Sequence, residues 1–230
     1  AVKGSDNNCI TGDDDHLLSR LRNAIKEAKK IDMIVAFLME SGVRVLVEDL
    51  QAATKRGAAL RILCGNYLNI TQPSALYLLK DYLGESVDLR FYSNKSRSFH
   101  PKAYIFEYED CTEIFVGSSN ISLSALTTGI EWNYKIDSIT SPKDCRKFKG
   151  VFEDLFLNHS IIVNDEEMRN YSKNWKKPQL LQQMVLMEER AEYNAENEGP
   201  KPTDAQIEAL YELNKSREAG WDKGLVVAAT

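Results

Sequence analysis

Nowhere in the 230 residues does an apolar run approach the roughly 18–20 residues that a membrane-crossing helix needs. The opening residues are polar, so no signal peptide is expected and a cytoplasmic location is the default expectation. Cysteine is sparse: Cys9, Cys64, Cys111 and Cys145 lie far apart and form no Cys-x-x-Cys pair. That argues against a disulfide framework and a zinc site, so no metal is expected. Histidine is scarcer still, at three residues. No strong excess of positive charge exists either, since the net charge of −5 argues against a wholly basic nucleic-acid coat. The distribution is uneven, however. Residues 1–158 hold 20 basic and 21 acidic side chains, and residues 159–230 hold 9 and 13. The front part can therefore still carry a local basic groove. No internal repeat is visible.

What is there alternates between helical and strand patterns over the first 136 residues. Leu17, Leu18, Leu21, Ile25 and Ala28 repeat at helical spacing behind Asp13–Asp15, which are expected as N-terminal caps. Ile31–Leu38 reads as a buried strand, and Val43, Leu46, Val47 and Leu50 as a second helix ending near Gly57. Leu60–Cys64 is a short buried strand, and Thr71 ahead of Pro73 opens a helix through Leu83. Strands follow at Val87–Tyr92, Lys102–Tyr108 and Glu113–Val116, then a turn at Gly117–Asn120 leading into a short helix. Ile130–Ile136 alternates, with Ile130, Trp132, Tyr134 and Ile136 on one face and Glu131, Asn133 and Lys135 on the other. Cys145, Phe148, Phe152, Leu155 and Phe156 define a covering helix. Interleaving of this kind predicts an α/β sandwich, a mixed β-sheet flanked by helices.

The chemistry concentrates between residues 100 and 131. His100 and Lys102 stand two apart at the start of a strand, which puts both on one face. Gly117-Ser-Ser-Asn120 sits between a strand and a helix, and Glu131 follows on the polar face of the next strand. Phosphodiester hydrolysis needs a nucleophile, a cation for the developing charge and a proton donor for the leaving alcohol. His100 can attack as neutral imidazole, and Lys102 supplies positive charge. Ser118, Asn120 and the amides of their turn can donate to phosphate oxygens. Glu131 is expected to hold the His100 ring in one tautomer. The other histidines, His16 and His159, read as surface or capping residues. Upstream, the loop Tyr92–Phe99 carries Lys95 and Arg97, which can grip flanking phosphates of a nucleic-acid backbone. Nothing nearby forms an amphipathic membrane-facing helix.

This pattern resembles the phospholipase D superfamily, whose hallmark is His-x-Lys with a later acid and then Gly-Ser-x-Asn. The match runs through His100, Lys102, Gly117, Ser118 and Asn120, with Glu131 as the later acid of the nuclease-like members. The resemblance implies a covalent phosphohistidine intermediate and no metal or other cofactor. It departs at Glu107, where the family usually has Asp, and in a longer gap from Glu107 to Gly117, which leaves the role of Glu107 open. Members with a single motif form two-fold dimers with the site at the interface. No second His-x-Lys occurs here, so a homodimer with two His100 side chains facing one phosphate is expected.

From Ile161 onward the pattern turns helical, with apolar clusters from Leu180 to Met187, and the polar stretch 194–202 makes a boundary. Pro202 and Gln206 precede an amphipathic helix (Ile207, Leu210, Tyr211, Leu213), followed by an apolar strand at Leu225–Ala228. These residues resemble the opening of a superfamily 2 helicase or restriction-type translocase, with Gln206 as an adenine contact and the Gly-x-Gly-Lys-Thr loop absent. The segments Ile34–Gly42, Gly57–Leu63 and Gly129–Asn133 likewise resemble bacterial helicases with an N-terminal phospholipase D-like nuclease domain. The expected organisation is a phospholipase D-like domain (1–158), a helical extension (159–198) and the start of a RecA-like helicase domain (199–230). ATP would serve only the missing motor. The expected function is a metal-independent phosphodiesterase acting on nucleic acid, DNA in the first instance. A non-catalytic DNA-docking module and a phosphodiesterase for small molecules or lipids are the alternatives.

Overall fold

The computed structural model describes residues 7–66, 69–94, 96–176 and 202–221. Among them, eight strands form one mixed sheet: β1 (Cys9–Ile10), β2 (Lys30–Val35), β3 (Ala59–Cys64), β4 (Val87–Tyr92), β5 (Lys102–Glu107), β6 (Thr112–Gly117), β7 (Asn133–Asp137) and β8 (Ser160–Ile162). The spatial order is β1-β7-β6-β5-β2-β3-β4-β8. β2, β3 and β4 run parallel, and every other pairing is antiparallel. The helices are α1 (Leu17–Glu27), α2 (Glu40–Arg44), α3 (Val47–Lys55), α4 (Pro73–Leu83), α5 (Leu123–Thr127), α6 (Pro142–Asn158), α7 (Asp165–Asn174) and α8 (Asp204–Glu218).

Period-two alternation divides β2 to β6 between two cores. Ile31, Met33 and Val35 of β2, Ile62 and Cys64 of β3 and Leu89 and Phe91 of β4 face a large core shared with α1, α3, α4, α7 and α8. Ile34, Leu63, Ala103, Ile105 and Ile114 point the other way, into a smaller core closed by Cys145, Phe152 and Phe156 of α6. Charge also enters this second face. Asp32 is 2% exposed, and Arg61 grips it with two bonds of 2.7 Å while reaching Glu153 at 2.6 and 3.0 Å. The Arg61 guanidinium also lies over the Phe152 and Phe156 rings, 5.0 and 4.9 Å from their centroids.

Several boundaries differ from the sequence expectation for local reasons. The α1 N-cap is His16, which makes no side-chain cap bond. Asp15 instead accepts from Thr11 N and pairs with Arg20. Ala36–Leu38 leave the sheet after β2, and the expected second helix is split into α2 and α3 at Val45–Leu46. Thr71 is not a cap, because Gln72 takes that place and Thr71 is fully buried. Where the helical pattern was expected to begin at Ile161, β8 adds the eighth strand. Met168 and Tyr171 of α7 then join the large core.

α8 packs on the same core through Ile207 and Tyr211. Tyr77 Oη donates to Glu208 at 3.1 Å, and Tyr211 Oη to Asp165 at 3.0 Å. Gln206 closes a capping box, its Oε1 accepting from Thr203 N at 2.7 Å, so this side chain is engaged within its own helix. The apolar cluster from Leu180 to Met187, the boundary at 194–201 and the strand expected at Leu225–Ala228 lie outside the described residues.

Candidate active site

The expected residues meet where β5 starts and β6 ends. β5 and β6 are antiparallel with Ala103 opposite Val116, so the register carries Lys102 opposite Gly117, beside Ser118. Gly117 in turn pairs with Asn133 at the start of β7. A Cβ on Gly117 would stand 2.1 Å from the Trp132 carbonyl oxygen and 2.5 Å from Asn133 Oδ1. Only glycine fits there, which explains physically the glycine that opens Gly-Ser-x-Asn.

His100 is exposed and sits just ahead of β5. Lys102 Nζ lies 2.6 Å from His100 Nδ1 and donates to the His100 carbonyl at 3.2 Å. The contact lies on the Nδ1 edge of the ring, the nitrogen that can accept from an ammonium. Burial holds the Lys102 ammonium below the ordinary lysine range, and the Glu131 charge opposes that shift. Glu131 is therefore within electrostatic reach of the pair.

Glu131 was expected on the polar face of a strand, holding His100. It lies instead in the two-residue approach to β7, and its Oε2 accepts from Ser118 Oγ. The same hydroxyl accepts from Trp132 N at 3.0 Å, and Ser118 N donates to Trp132 O at 3.0 Å. Ser118 thus locks the Glu131–Trp132 backbone in place. The alternation over 130–136 is real, but its polar face points inward. Ile130, Trp132 and Tyr134 are 83%, 72% and 50% exposed, whereas Asn133 is buried.

Asn120 is 7% exposed. Its Oδ1 accepts from Phe37 N at 3.2 Å, which turns the amide NH2 the other way, as a donor to a phosphate requires. Two further groups hold the turn. Tyr104 Oη donates to Ser119 O at 3.0 Å, and Asn133 Nδ2 donates to Ser119 Oγ at 2.9 Å. Burial pushes the Tyr104 phenol up, with the Glu131 charge adding to it, so it stays a neutral donor. Sequence reasoning missed both roles. The available signal was a polar Asn133 at an inward position of an alternating strand.

Glu107 is a separate matter. It closes the far end of β5, pairing with Lys149 at 2.6 Å and Lys30 at 3.2 Å. Burial alone would raise its carboxyl, but the bonds from Lys149 and Lys30 outweigh this and hold it below the usual carboxylate range. Five residues of extended strand, at ~3.4 Å each, separate it from Lys102. Its role here is an ion pair remote from the histidine. Arg97 is exposed in the loop before His100, and Lys95 lies outside the described residues. Among the described residues no group of three or more His, Cys, Asp or Glu side chains is placed to hold a metal, and no helix is long and apolar enough to cross a membrane.

The mixed sheet flanked by helices carries His100, Lys102, Ser118, Asn120 and Glu131 together at its strand ends. Residues 21–156 match the family described as "Cardiolipin synthase, PLD-like domain", and the chain belongs to that family. No curated protein matches it. Among solved structures it is similar to Nuc of Salmonella typhimurium, a phospholipase D family member (24% identity, 64% of this chain and 90% of that one, TM-score 0.49). NucT of Helicobacter pylori is similar over the same shares, at 16% identity and a TM-score of 0.48. Phosphatidylserine synthase of Haemophilus influenzae covers 81% of this chain and 45% of its own, at 12% identity and 0.46.

Proposed function

We propose that the chain carries half of a metal-independent phosphodiesterase site that cuts a nucleic-acid backbone, DNA in the first instance. The observation that supports it most is the Lys102–His100 contact at the strand ends, beside the Ser118–Glu131 pair and the oriented Asn120 amide. In this reading the His100 ring of one copy attacks phosphorus, forming a P–N bond as the P–O bond to the leaving alcohol breaks. The leaving oxygen takes a proton from the His100 of a second copy, which then deprotonates the water that breaks the P–N bond. Lys102 and Asn120 hold the phosphate oxygens, Ser118 supports them, and Lys95 and Arg97 grip flanking phosphates.

The copy that protonates the leaving alcohol does so as imidazolium, and is left as the neutral imidazole that then takes the proton from water. Attack requires Lys102 to leave Nδ1 for the phosphate. The homodimer is supported by the single His-x-Lys motif and by exposed Ile130, Trp132 and Tyr134 flanking Glu131, an apolar surface beside that motif.

Cleavage of DNA and RNA oligonucleotides in EDTA tests the reading, with His100→Ala expected to lower the rate by ~10³-fold or more. Oligonucleotide binding without cleavage, unchanged in His100→Ala, would identify a docking module instead. The family description raises a lipid substrate, and phosphatidyl transfer with anionic vesicles in place of oligonucleotides would establish that alternative. A monomer in light scattering at high concentration would remove the two-copy mechanism. The link to a helicase or restriction-type motor rests on the resemblance of residues 200–230 and of Ile34–Gly42, Gly57–Leu63 and Gly129–Asn133, and a Gly-x-Gly-Lys-Thr loop encoded next would be its test.

A further inference from the structure

Asn120 is held from behind by a buried hydrogen-bonded brace. Phe37 N binds its Oδ1, and the next residue, Ile121, accepts from Met39 N at 2.9 Å and bridges to Leu38. Residues 37–39 are therefore the mould on which the Asn120 turn lies. Their other side is fixed to the loop before α4. Leu38 N donates to Thr71 Oγ1 at 3.3 Å, and Gln72 N donates to Leu38 O at 3.0 Å. The same Thr71 hydroxyl donates to Gly65 O at 2.6 Å, so one buried oxygen ties together the exits of β2 and β3.

α7 clamps that loop from outside. Tyr171 Oη donates to Thr71 O at 2.7 Å, and Trp175 Nε1 donates to Asn69 O at 2.6 Å. The Trp175 ring also packs on the cluster of Ala36, Phe37 and Met39. Asn69 itself has a φ of 55°, a left-handed conformation that the bond from Trp175 helps to hold.

We propose that Thr71 and Trp175 are positioning residues for Asn120, through which the state of α7 is transmitted to the phosphate-binding amide. Neither touches the phosphate in the site described above, and the proposal rests on the phosphodiesterase reading for its consequence in rate. Without the Thr71 hydroxyl, Leu38 N and Gly65 O lose a buried partner, and the chain relieves this by shifting residues 37–39 and Asn120 with them. A misplacement on the order of 1 Å costs up to ~100-fold in kcat.

The experiment compares Thr71→Val, Thr71→Ser and Trp175→Phe with the unaltered chain. Two readouts are used: kcat and KM for oligonucleotide cleavage, and the side-chain amide resonances of Asn120, assigned by their loss in Asn120→Asp. The expected result is a kcat reduced by ~10–100-fold in Thr71→Val with KM changed less than ~3-fold. Thr71→Ser should recover most of it, Trp175→Phe should fall between, and the Asn120 resonances should move in step. Unmoved Asn120 resonances in folded Thr71→Val and Trp175→Phe would overturn the brace, whatever happens to the rate. If the unaltered chain cuts nothing, the phosphodiesterase reading fails, and the resonances alone decide the brace. Should Thr71→Val not fold, Trp175→Phe, which keeps an aromatic ring on the cluster and loses the pyrrole half of the indole with its N–H, carries the test.

Discussion

At the scale of single residues, the site places a cation where the fold disfavours it. Burial holds Lys102 below the ordinary lysine range even with Glu131 nearby, so its charge costs stability in the folded chain. Lys102→Met keeps the length and removes the charge. Cleavage should vanish while the melting temperature rises, each 1 kcal/mol gained shifting it by ~2–4 °C. A lower melting temperature in a thermal melt would mean that attraction to Glu131 outweighs the burial cost. Ser118 carries the opposite expectation. Its hydroxyl serves Glu131 and Trp132 N together, so Ser118→Ala leaves a carboxylate and an amide without that partner. Urea unfolding should show a loss of ~0.5–1.5 kcal/mol along with slower cleavage, since both bonds are exposed to water.

These residues were also the most legible part of the chain. Five side chains named from His-x-Lys, Gly-Ser-x-Asn and the later acid lie in one region, because strand register converts sequence spacing into position. Hydrogen-bond direction was not legible. Glu131 pairs with Ser118 rather than His100 since Ser118 N donates to Trp132 O and Trp132 N to the Ser118 hydroxyl, a contact 14 residues apart that no local pattern announces.

At the scale of elements, the alternating strands and amphipathic helices were readable, and the ends were not. α1 and α4 follow their apolar periodicity, whereas Ala36–Leu38 look like strand and yet leave the sheet to hold Asn120 and Thr71. Tertiary hydrogen bonds overrode β-propensity there. The ion network between β2, β3 and α6 sets a pH dependence. With Arg61 bonded to it, Glu153 is held down to about 2 from the ordinary 4.5. Its contribution is therefore fully present above pH 4.5 and is lost as pH falls toward 2. Glu153→Gln should flatten the acid limb of stability against pH in that window, as followed by circular dichroism. Asp32→Ala, which removes two of the Arg61 carboxylate bonds while Glu153 keeps the other two, should cost ~1.5–3 kcal/mol in urea unfolding at neutral pH.

At the scale of the whole molecule, α8 decides how the chain is divided. A helix that resembles the start of a motor is packed on α4 and α7 through Ile207 and Tyr211. If it is part of this cooperative unit, Ile207→Ala lowers the stability of the single unfolding transition by ~2–5 kcal/mol. Leu210→Ala, at a half-exposed position on the same helix, should stay within ~0.5 kcal/mol. An unchanged main transition in Ile207→Ala would mean that α8 folds with something else. Sequence reasoning placed the boundary by composition, and composition does not reveal that Tyr77 and Tyr211 meet across 134 positions with their rings 5.2 Å apart.

The sheet ends in two very short strands, β1 with two residues and β8 with three. Margins this brief leave few backbone groups for another chain to zip onto, so runaway strand-by-strand assembly is disfavoured.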